Sequence, residues 1–130
     1  MLVKILNPVA RLIRSNSLDS SPEISNNLVM RQLVKSEKDG PDLSVTWVAI
    51  DGNHRSLKTD ASTRVYYILE GEFQFSFDDS PNMTATDGDV VVIYKSSVYG
   101  FTGTGKYLVI NGPAFREGDD VYVEEGTSAE

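Results

Sequence analysis

Two short apolar runs on either side of a glycine constrain the fold more than any other feature of this sequence. Val65–Leu69 is made of β-branched, aromatic and aliphatic residues, a composition typical of a half-buried strand. An acid–glycine–acid turn centred on Gly71 follows, where glycine can take positive φ. Phe73, Phe75 and Phe77 then alternate with polar residues, as in a strand with one buried face. The pattern predicts a β-hairpin whose inner face is an aromatic core.

Similar runs recur along the chain and predict further strands. Thr86–Phe101 repeats the pattern with an Asp-Gly turn, a short apolar strand, a polar break and another strand. The other predicted elements are strands at 28–34, 43–50, 90–93, 98–101 and 107–111, with turns at 35–42, 51–53 and 102–106. Many short strands separated by turn signals predict an all-β antiparallel sandwich or closed barrel.

The two ends of the chain are expected to flank this barrel. Asn7-Pro8 is a suitable start for one short N-terminal helix with Val9, Leu12 and Ile13 on one face. We expect an N-terminal arm over 1–27, the barrel over 28–115 and an acidic tail over 116–130. Six carboxylates make most of the tail solvated, although Val121–Val123 could pair with a strand edge.

Composition narrows the classes of function. A chain of 130 residues forms one domain. Its net charge of −7 argues against nucleic acid and anionic membrane surfaces as partners. The absence of cysteine excludes disulfides and thiolate sites. We expect no signal peptide, since Lys4 and Pro8 interrupt the apolar N-terminal run, and therefore a cytoplasmic protein.

The spacing of glycines and polar residues resembles the two motifs of the cupin superfamily. The first, Gly-x5-His-x-His-x3-Glu-x6-Gly, is similar to Gly52, Lys58, Asp60, Arg64 and Gly71. The second, Gly-x5-Pro-x-Gly-x2-His-x3-Asn, is similar to Gly88, Tyr94, Ser96, Tyr99 and Gly103. The resemblance covers roughly residues 44–115 and implies a cupin-type jelly-roll β-barrel.

All four positions where a typical cupin carries its metal ligands hold other residues here. Lys58 and Arg64 are cations that offer no lone pair to a metal. The alternative x4 spacing places Leu57 and Thr59 at the first two positions, which are equally unfit. We therefore expect neither a metal nor another cofactor at the standard site.

Lys58, Asp60 and Arg64 have two interpretations. They form either a structural ion-pair cluster at the rim or a positive site inside the barrel for an anionic or polyhydroxylated ligand. Strand alternation places Arg64 and Tyr66 on the same face, so both are candidate ligand-binding residues. A buried arginine needs a partner, and Asp60 is the candidate.

Tyr99 and Lys58 are candidate catalytic residues. Tyr99 occupies the position of the last metal histidine, with Phe101 on the same face as a candidate ligand contact. Tyr99 is either an aromatic core filler or a phenol whose pKa is lowered by neighbouring cations, so that it exchanges a proton. Lys58 would then be a candidate base beside Arg64.

His54 and Trp47 complete the candidates. His54, the sole histidine, is either a general acid or base at the barrel mouth or, the interpretation we favour, an exposed loop residue. Trp47 either stacks on a ligand or belongs to the core.

Two classes of function remain open. The first is a metal-independent cupin enzyme that isomerises or dehydrates a sugar-like or carboxylate ligand by acid–base chemistry, an activity that the resemblance implies. The second is a non-catalytic ligand-binding or structural module. The resemblance also implies a homodimer, for which the N-terminal strand and Val121–Val123 are candidate edge-pairing segments.

Overall fold

The computed structural model describes residues 9–123 and contains one antiparallel sheet of eight strands. The strands are β1 (Ser21–Glu23), β2 (Leu28–Val34), β3 (Ser44–Thr59), β4 (Thr63–Phe77), β5 (Met83–Thr86), β6 (Val90–Ile93), β7 (Tyr99–Gly112) and β8 (Asp120–Tyr122). One short helix, α1 (Ser36–Asp39), lies between β2 and β3, and single 3-10 turns occupy Ser15–Ser17 and Ile24–Asn26. None of these helices is long and apolar enough to cross a membrane.

Hydrogen bonding arranges the strands in the order β1-β2-β3-β7-β4-β5. In addition, β6 pairs with β4 and β8 pairs with β3. All these pairings are antiparallel, which confirms the predicted all-β antiparallel barrel. Of the predicted N-terminal helix, Asn7-Pro8 lies outside the described residues, and residues 9–14 are not helical.

Three long strands replace the predicted hairpins. The turns predicted at 51–53 and 102–106 and around Gly71 are wrong, because β3, β7 and β4 run through them as continuous strands of 16, 14 and 15 residues. β4 bends sharply. The rings of Tyr66 and Phe75, both in β4, lie 5.4 Å apart, whereas nine extended residues would span about 30 Å.

Glycines form the corner at which these strands bend. Gly52 pairs with Gly103, and Gly71 pairs with Gly105, so the glycines sit at adjacent positions across three strands. A Cβ on Gly105 would collide with the carbonyl oxygen of Glu70, and φ at Gly105 is +154°. The glycines that suggested turns in the sequence are therefore required where two backbones approach closely within the folded sheet.

The concave faces of the bent sheet enclose an aromatic core. Phe73 and Phe75 are fully buried, as predicted, and Phe77 packs against them while partly buried. Tyr66 makes edge-on contacts with Phe75 and Phe101, at centroid distances of 5.4 and 5.2 Å. These contacts join the two halves of β4 to β7.

Both flanking segments contribute strands to the sheet. β1 lies in the predicted N-terminal arm and pairs with β2. β8 lies in the predicted acidic tail, and Val121 pairs with Lys58 of β3. The predicted edge pairing of this part of the tail is confirmed, and it brings the C-terminal segment back to the barrel.

We expect Gly105→Ala to destabilise the protein much more than Gly88→Ala, as measured by urea denaturation. Both glycines have positive φ, which costs an alanine about 1–2 kcal/mol. Only at Gly105 does the new methyl group also meet backbone, since the space around Gly88 is open. Equal losses in the two variants would contradict the corner described above.

Candidate functional site

A cavity of about 380 Å³ lies inside the barrel. Its walls come from β2, β3, β4 and β7, and residues 115–122 complete its lining. This volume falls within the usual range of small-molecule sites, about 300–1,000 Å³. The polar side chains that line it include Glu23, His54, Arg64, Tyr66, Tyr107 and Asp120.

Arg64 is the central cation of this cavity and only 4% of it is exposed. Its Nε donates to Asn111 Oδ1 at 2.7 Å, and its Nη1 donates to the Tyr99 hydroxyl at 3.1 Å. Its Nη2 donates to Asp120 Oδ1 at 2.7 Å. Burial works against the charge, but the neighbouring phenols and Asp120 raise the pKa of Arg64, so the guanidinium stays protonated.

The buried partner of Arg64 is therefore Asp120, and the expectation of Asp60 is wrong. Asp60 lies at the surface, where it accepts a hydrogen bond from Ser96 Oγ at 2.6 Å. Its second oxygen is 3.6 Å from Lys58 Nζ, with both side chains exposed. Lys58 and Asp60 therefore match the interpretation as an ion pair at the rim, whereas Arg64 matches the interpretation as a positive site inside the barrel.

A β-bulge explains why Lys58 does not reach the cavity. The register of β3 against β7 shifts between His54 and Leu57, so the alternation of inner and outer side chains moves by one residue. Leu57 and Thr59 consequently point inward and are buried, and Lys58 points outward. The expectation that Lys58 lies beside Arg64 as a base is wrong.

Two phenols extend the network from Arg64 to the cavity. The hydroxyls of Tyr66 and Tyr99 are 2.6 Å apart, and Tyr66 lines the cavity. Because Arg64 donates to the Tyr99 oxygen, the Tyr99 hydroxyl can donate its own hydrogen bond to the Tyr66 oxygen. The Tyr66 hydroxyl is then available to donate a hydrogen bond to a ligand. Both side chains are buried aromatic residues whose hydroxyls form hydrogen bonds, so Tyr99 matches the interpretation as an aromatic core residue.

The expected lowering of the Tyr99 pKa is wrong. Burial raises the pKa of Tyr99, and the nearby charge of Arg64 offsets this effect only in part. Burial likewise raises the pKa of Tyr66 well above its usual value. Both phenols are therefore protonated hydrogen-bond donors at neutral pH, not proton acceptors.

His54 lies in β3 and not in an exposed loop, so the interpretation favoured from the sequence is wrong. Its ring stacks on Phe101, with centroids 4.8 Å apart and an angle of 17° between planes. His54 Nδ1 is 2.9 Å from the backbone oxygen of Arg55, and a carbonyl only accepts, so Nδ1 carries the hydrogen. Burial lowers the pKa of His54, which leaves Nε2 as a free proton acceptor at neutral pH.

A second groove, of about 570 Å³, adjoins the cavity. It is lined by polar residues such as Arg55, Ser56 and Gln74. His54 and Tyr122 line both the groove and the cavity, so they form the partition between them. Phe101 lines the groove and contacts Tyr66, which places this ring between the two spaces.

Trp47 is not a cavity residue. It alternates with the buried Val48 and does not belong to the cavity lining. Its indole ring instead packs under the guanidinium of Arg31, whose central carbon is 4.5 Å from the ring centroid. Neither predicted role, ligand stacking or core packing, matches this partly exposed position on the outer face.

Several cavity residues were not found from the sequence. Tyr107 and Asn111 alternate along β7 on the inner face, a pattern that the sequence did contain. Glu23 and Asp120 belong to three-residue strands in the flanking segments, where no periodicity marks them. Tyr122 is positioned by a buried asparagine, since Asn26 Nδ2 donates to its hydroxyl at 3.0 Å.

The residues at the standard cupin metal positions do not fit a metal. Leu57 and Thr59 face inward in place of two histidines, and Arg64 replaces a carboxylate. Among residues 9–123 there is no group of three or more His, Cys, Asp or Glu residues that could hold a metal ion. The cavity instead offers phenols, an imidazole, a guanidinium and carboxylates.

Asp120→Ala should lower the free energy of unfolding by about 3 kcal/mol, because it leaves the buried charge of Arg64 without its counter-ion. Lys58→Met breaks the exposed pair with Asp60 and should change stability little. Urea denaturation of the two variants compares them directly. A loss at Lys58 as large as that at Asp120 would contradict the assignment.

The pKa of His54 should lie below the usual 6.5, as measured by NMR titration of this sole histidine. A lowered pKa means that the unfolded chain takes up the proton first. The contribution of neutral His54 to the free energy of unfolding is therefore complete above about pH 6.5, and it is lost as the pH falls towards the pKa of the folded state. His54→Gln removes this contribution.

Comparison of urea midpoints at about pH 7.5 and pH 5.5 tests whether His54 makes the protein less stable on acidification. Wild type should lose more stability than His54→Gln on acidification, because only wild type holds a neutral histidine in a site that disfavours its protonation. The negative charges of Glu23 and Asp120 act to raise the pKa of His54 and moderate the effect, whereas the charge of Arg64 adds to it. Equal shifts of the urea midpoint in wild type and His54→Gln would contradict the lowered pKa of His54.

Comparisons with known proteins place this geometry among solved structures. No protein-family model and no curated protein matches the sequence. A variant of Pac13 from Streptomyces, solved with uridine, superposes with a TM-score of 0.77 at 17% identity over 90% of this chain and 93% of that one. Pac13 is described as a nucleoside dehydratase.

Two further structures share the architecture. The polyketide cyclase RemF from Streptomyces resistomycificus gives a TM-score of 0.73 at 14% identity, over 90% of this chain and 89% of that one. An RmlC-like cupin from Shewanella frigidimarina gives 0.66 at 20% identity, over 80% and 90%. These likenesses, together with the eight-stranded antiparallel sheet, show that the chain has the cupin-type β-barrel fold.

Proposed function

We propose that this protein is a metal-independent cupin that binds a small hydroxyl-rich molecule in the barrel cavity and dehydrates or isomerises it by acid–base chemistry. One observation carries the proposal. A protonated phenol, Tyr66, and a neutral imidazole, His54, line the same cavity as donor and acceptor. The ring of Phe101 contacts both of them.

This pair has the properties that removal of water from a ligand requires. His54 Nε2 takes a proton from a carbon of the ligand, and the C–H electrons form the new double bond. The C–O bond breaks on the neighbouring carbon, and Tyr66 gives its proton to the departing hydroxyl, which leaves as water. Arg64 supports this donation through Tyr99, since Arg64 donates to the Tyr99 oxygen and Tyr99 can in turn donate to the Tyr66 oxygen. Isomerisation uses the same two groups without loss of the hydroxyl.

The structural neighbours support the same class of ligand. Pac13 is a nucleoside dehydratase, and its histidine and tyrosine variants have been solved with uridine. Histidine and tyrosine are also the residue types that meet in this cavity. The likeness of fold and residue type supports a ring-shaped, hydroxyl-rich ligand.

The charges of the cavity argue against the anionic ligand considered from the sequence. The anionic interpretation depended on Lys58 and Arg64 facing the cavity together. Lys58 lies outside, and the charge of Arg64 is matched by Asp120 at 2.7 Å. A carboxylate or phosphate would have to displace Asp120 to reach the guanidinium.

The alternative is a non-catalytic binding or structural module. It would be favoured if Trp47 and the inner aromatic rings filled the barrel. Trp47 lies on the outer face, and about 380 Å³ of the interior stays open beside Tyr66. An open cavity with a matched donor and acceptor supports the enzymatic proposal.

A homodimer is part of the proposal. β1 pairs only with β2, and β8 pairs only with β3, so both are edge strands of the described sheet. Free edges are common sites of pairing between chains. Analytical ultracentrifugation at micromolar concentration tests it, and a single monomer peak would contradict it.

Tyr66→Phe should weaken binding of uridine, measured by calorimetric titration, by about tenfold, because one buried donor is lost. Tyr67→Phe is the matched control, since Tyr67 is the next residue of β4 and lies on the exposed outer face. Lys58→Met should also leave binding unchanged. Equal affinity of all three variants for uridine would contradict the assignment of Tyr66 as a ligand-binding donor.

Turnover is tested with hydroxylated nucleosides and sugars by mass spectrometry, which detects the loss of one water. His54→Gln should abolish turnover while a ligand still binds, because the proton acceptor is removed and the donors stay. Tyr99→Phe should reduce turnover less than Tyr66→Phe does, since Tyr99 acts through Tyr66. Full turnover in His54→Gln would contradict the assigned base.

A further inference from the structure

The cavity contains more negative than positive charge. Glu23, Glu117 and Asp120 line it, against the single guanidinium of Arg64. Asp120 is paired with that guanidinium, whereas Glu23 and Glu117 form no ion pair within residues 9–123. Glu23 is partly buried and Glu117 is exposed, so the described lining carries an excess of negative charge with no second cation to balance it.

An independent observation also indicates a ligand. Tyr107 lines the cavity and is 99% buried, with 1% of its surface exposed. Its hydroxyl makes no hydrogen bond to any described residue, unlike those of Tyr66 and Tyr99. The hydroxyl oxygen is not among the fully buried polar atoms that lack a partner, so it is open to the cavity and can bond a polar atom of a bound molecule.

Glu23 lies close to the groups that would bind such a molecule. Its negative charge acts to raise the pKa of three residues that line the cavity, His54, Tyr107 and Tyr122. Their aromatic rings provide surfaces that attract organic cations. The described residues offer no cluster of three metal-binding side chains, so an organic cation fits this space better than a metal ion.

We propose that the ligand carries a protonated amine in addition to its hydroxyl groups, with the amine held by Glu23 and Glu117 and a polar ligand atom bound to Tyr107. The ligand class is thus an amino sugar or an amino nucleoside. This inference rests on the proposed function, because it describes the ligand of the same cavity. It also excludes acidic sugars as preferred ligands.

Two sets of probes test the charge preference by calorimetric titration. Each set keeps one ring and changes one group: uridine, 5′-amino-5′-deoxyuridine and uridine-5′-carboxylate, and glucose, glucosamine and glucuronate. In the set whose ring fits the cavity, the amine should bind at least about tenfold more tightly than the neutral molecule. The carboxylate should bind most weakly.

Substitutions assign the preference to the two glutamates. Glu23→Gln and Glu117→Gln should each reduce the advantage of the amine, with little effect on the neutral molecule. Glu37→Gln is the matched control, because Glu37 lies in α1 and outside the cavity lining. Tyr107→Phe should weaken the binding of the neutral molecule and of the amine to the same extent.

The position of Glu23 is tested without any ligand. Glu23→Gln should lower the pKa of His54 further, as measured by NMR, because the carboxylate no longer favours its protonation. Glu37→Gln should leave that pKa unchanged. An unchanged pKa in Glu23→Gln would mean that the carboxylate does not face the cavity, and would overturn the inference.

The binding results separate this inference from the proposed function. If the neutral molecules bind as tightly as the amines, or if the carboxylates bind best, the amine proposal is overturned and small-molecule binding in the cavity stands. If all six probes fail to bind, both proposals are contradicted. An amine preference that survives Glu23→Gln and Glu117→Gln together would also overturn the inference.

Discussion

The buried charge of Arg64 is the constraint on which the site depends. A guanidinium in the interior is stable only if its donors are bound and its charge is matched. Three separate parts of the chain meet this requirement. β4 supplies the arginine, β7 supplies Asn111 and Tyr99, and the C-terminal segment supplies Asp120. The same ion pair that compensates the charge therefore holds residues 116–123 against the barrel and completes the cavity.

The glycine corner makes the rest of the site possible. Tyr66 lies in the first half of β4 and Tyr99 at the start of β7, and a flat sheet would keep their hydroxyls far apart. Because the strands fold over at Gly71 and Gly105, the two halves face each other and the hydroxyls approach to 2.6 Å. The bend that closes the aromatic core also connects Arg64 to the cavity.

Burial and hydrogen bonding set the protonation states of the cavity side chains. Burial raises the pKa of Tyr66 and lowers that of His54, so both groups are uncharged at neutral pH. A neutral phenol gives a proton, and a neutral imidazole takes one. The fold provides the enclosure, whereas the chemistry belongs to the side chains placed within it.

The amino-acid sequence predicted most of the strand segments, the aromatic core and the inward face that carries Arg64, Tyr66 and Phe101, but not the joining of these segments into long strands. It did so because side-chain alternation is a local property of a strand. Only the tertiary structure decided that glycines mark bends within long strands, since this depends on the backbone of the neighbouring strand. Only the tertiary structure, too, turned Lys58 outward through a bulge and brought Glu23 and Asp120 into the cavity from distant segments. A bulge and a long-range ion pair depend on partners across the sheet, and no periodicity within a strand records them.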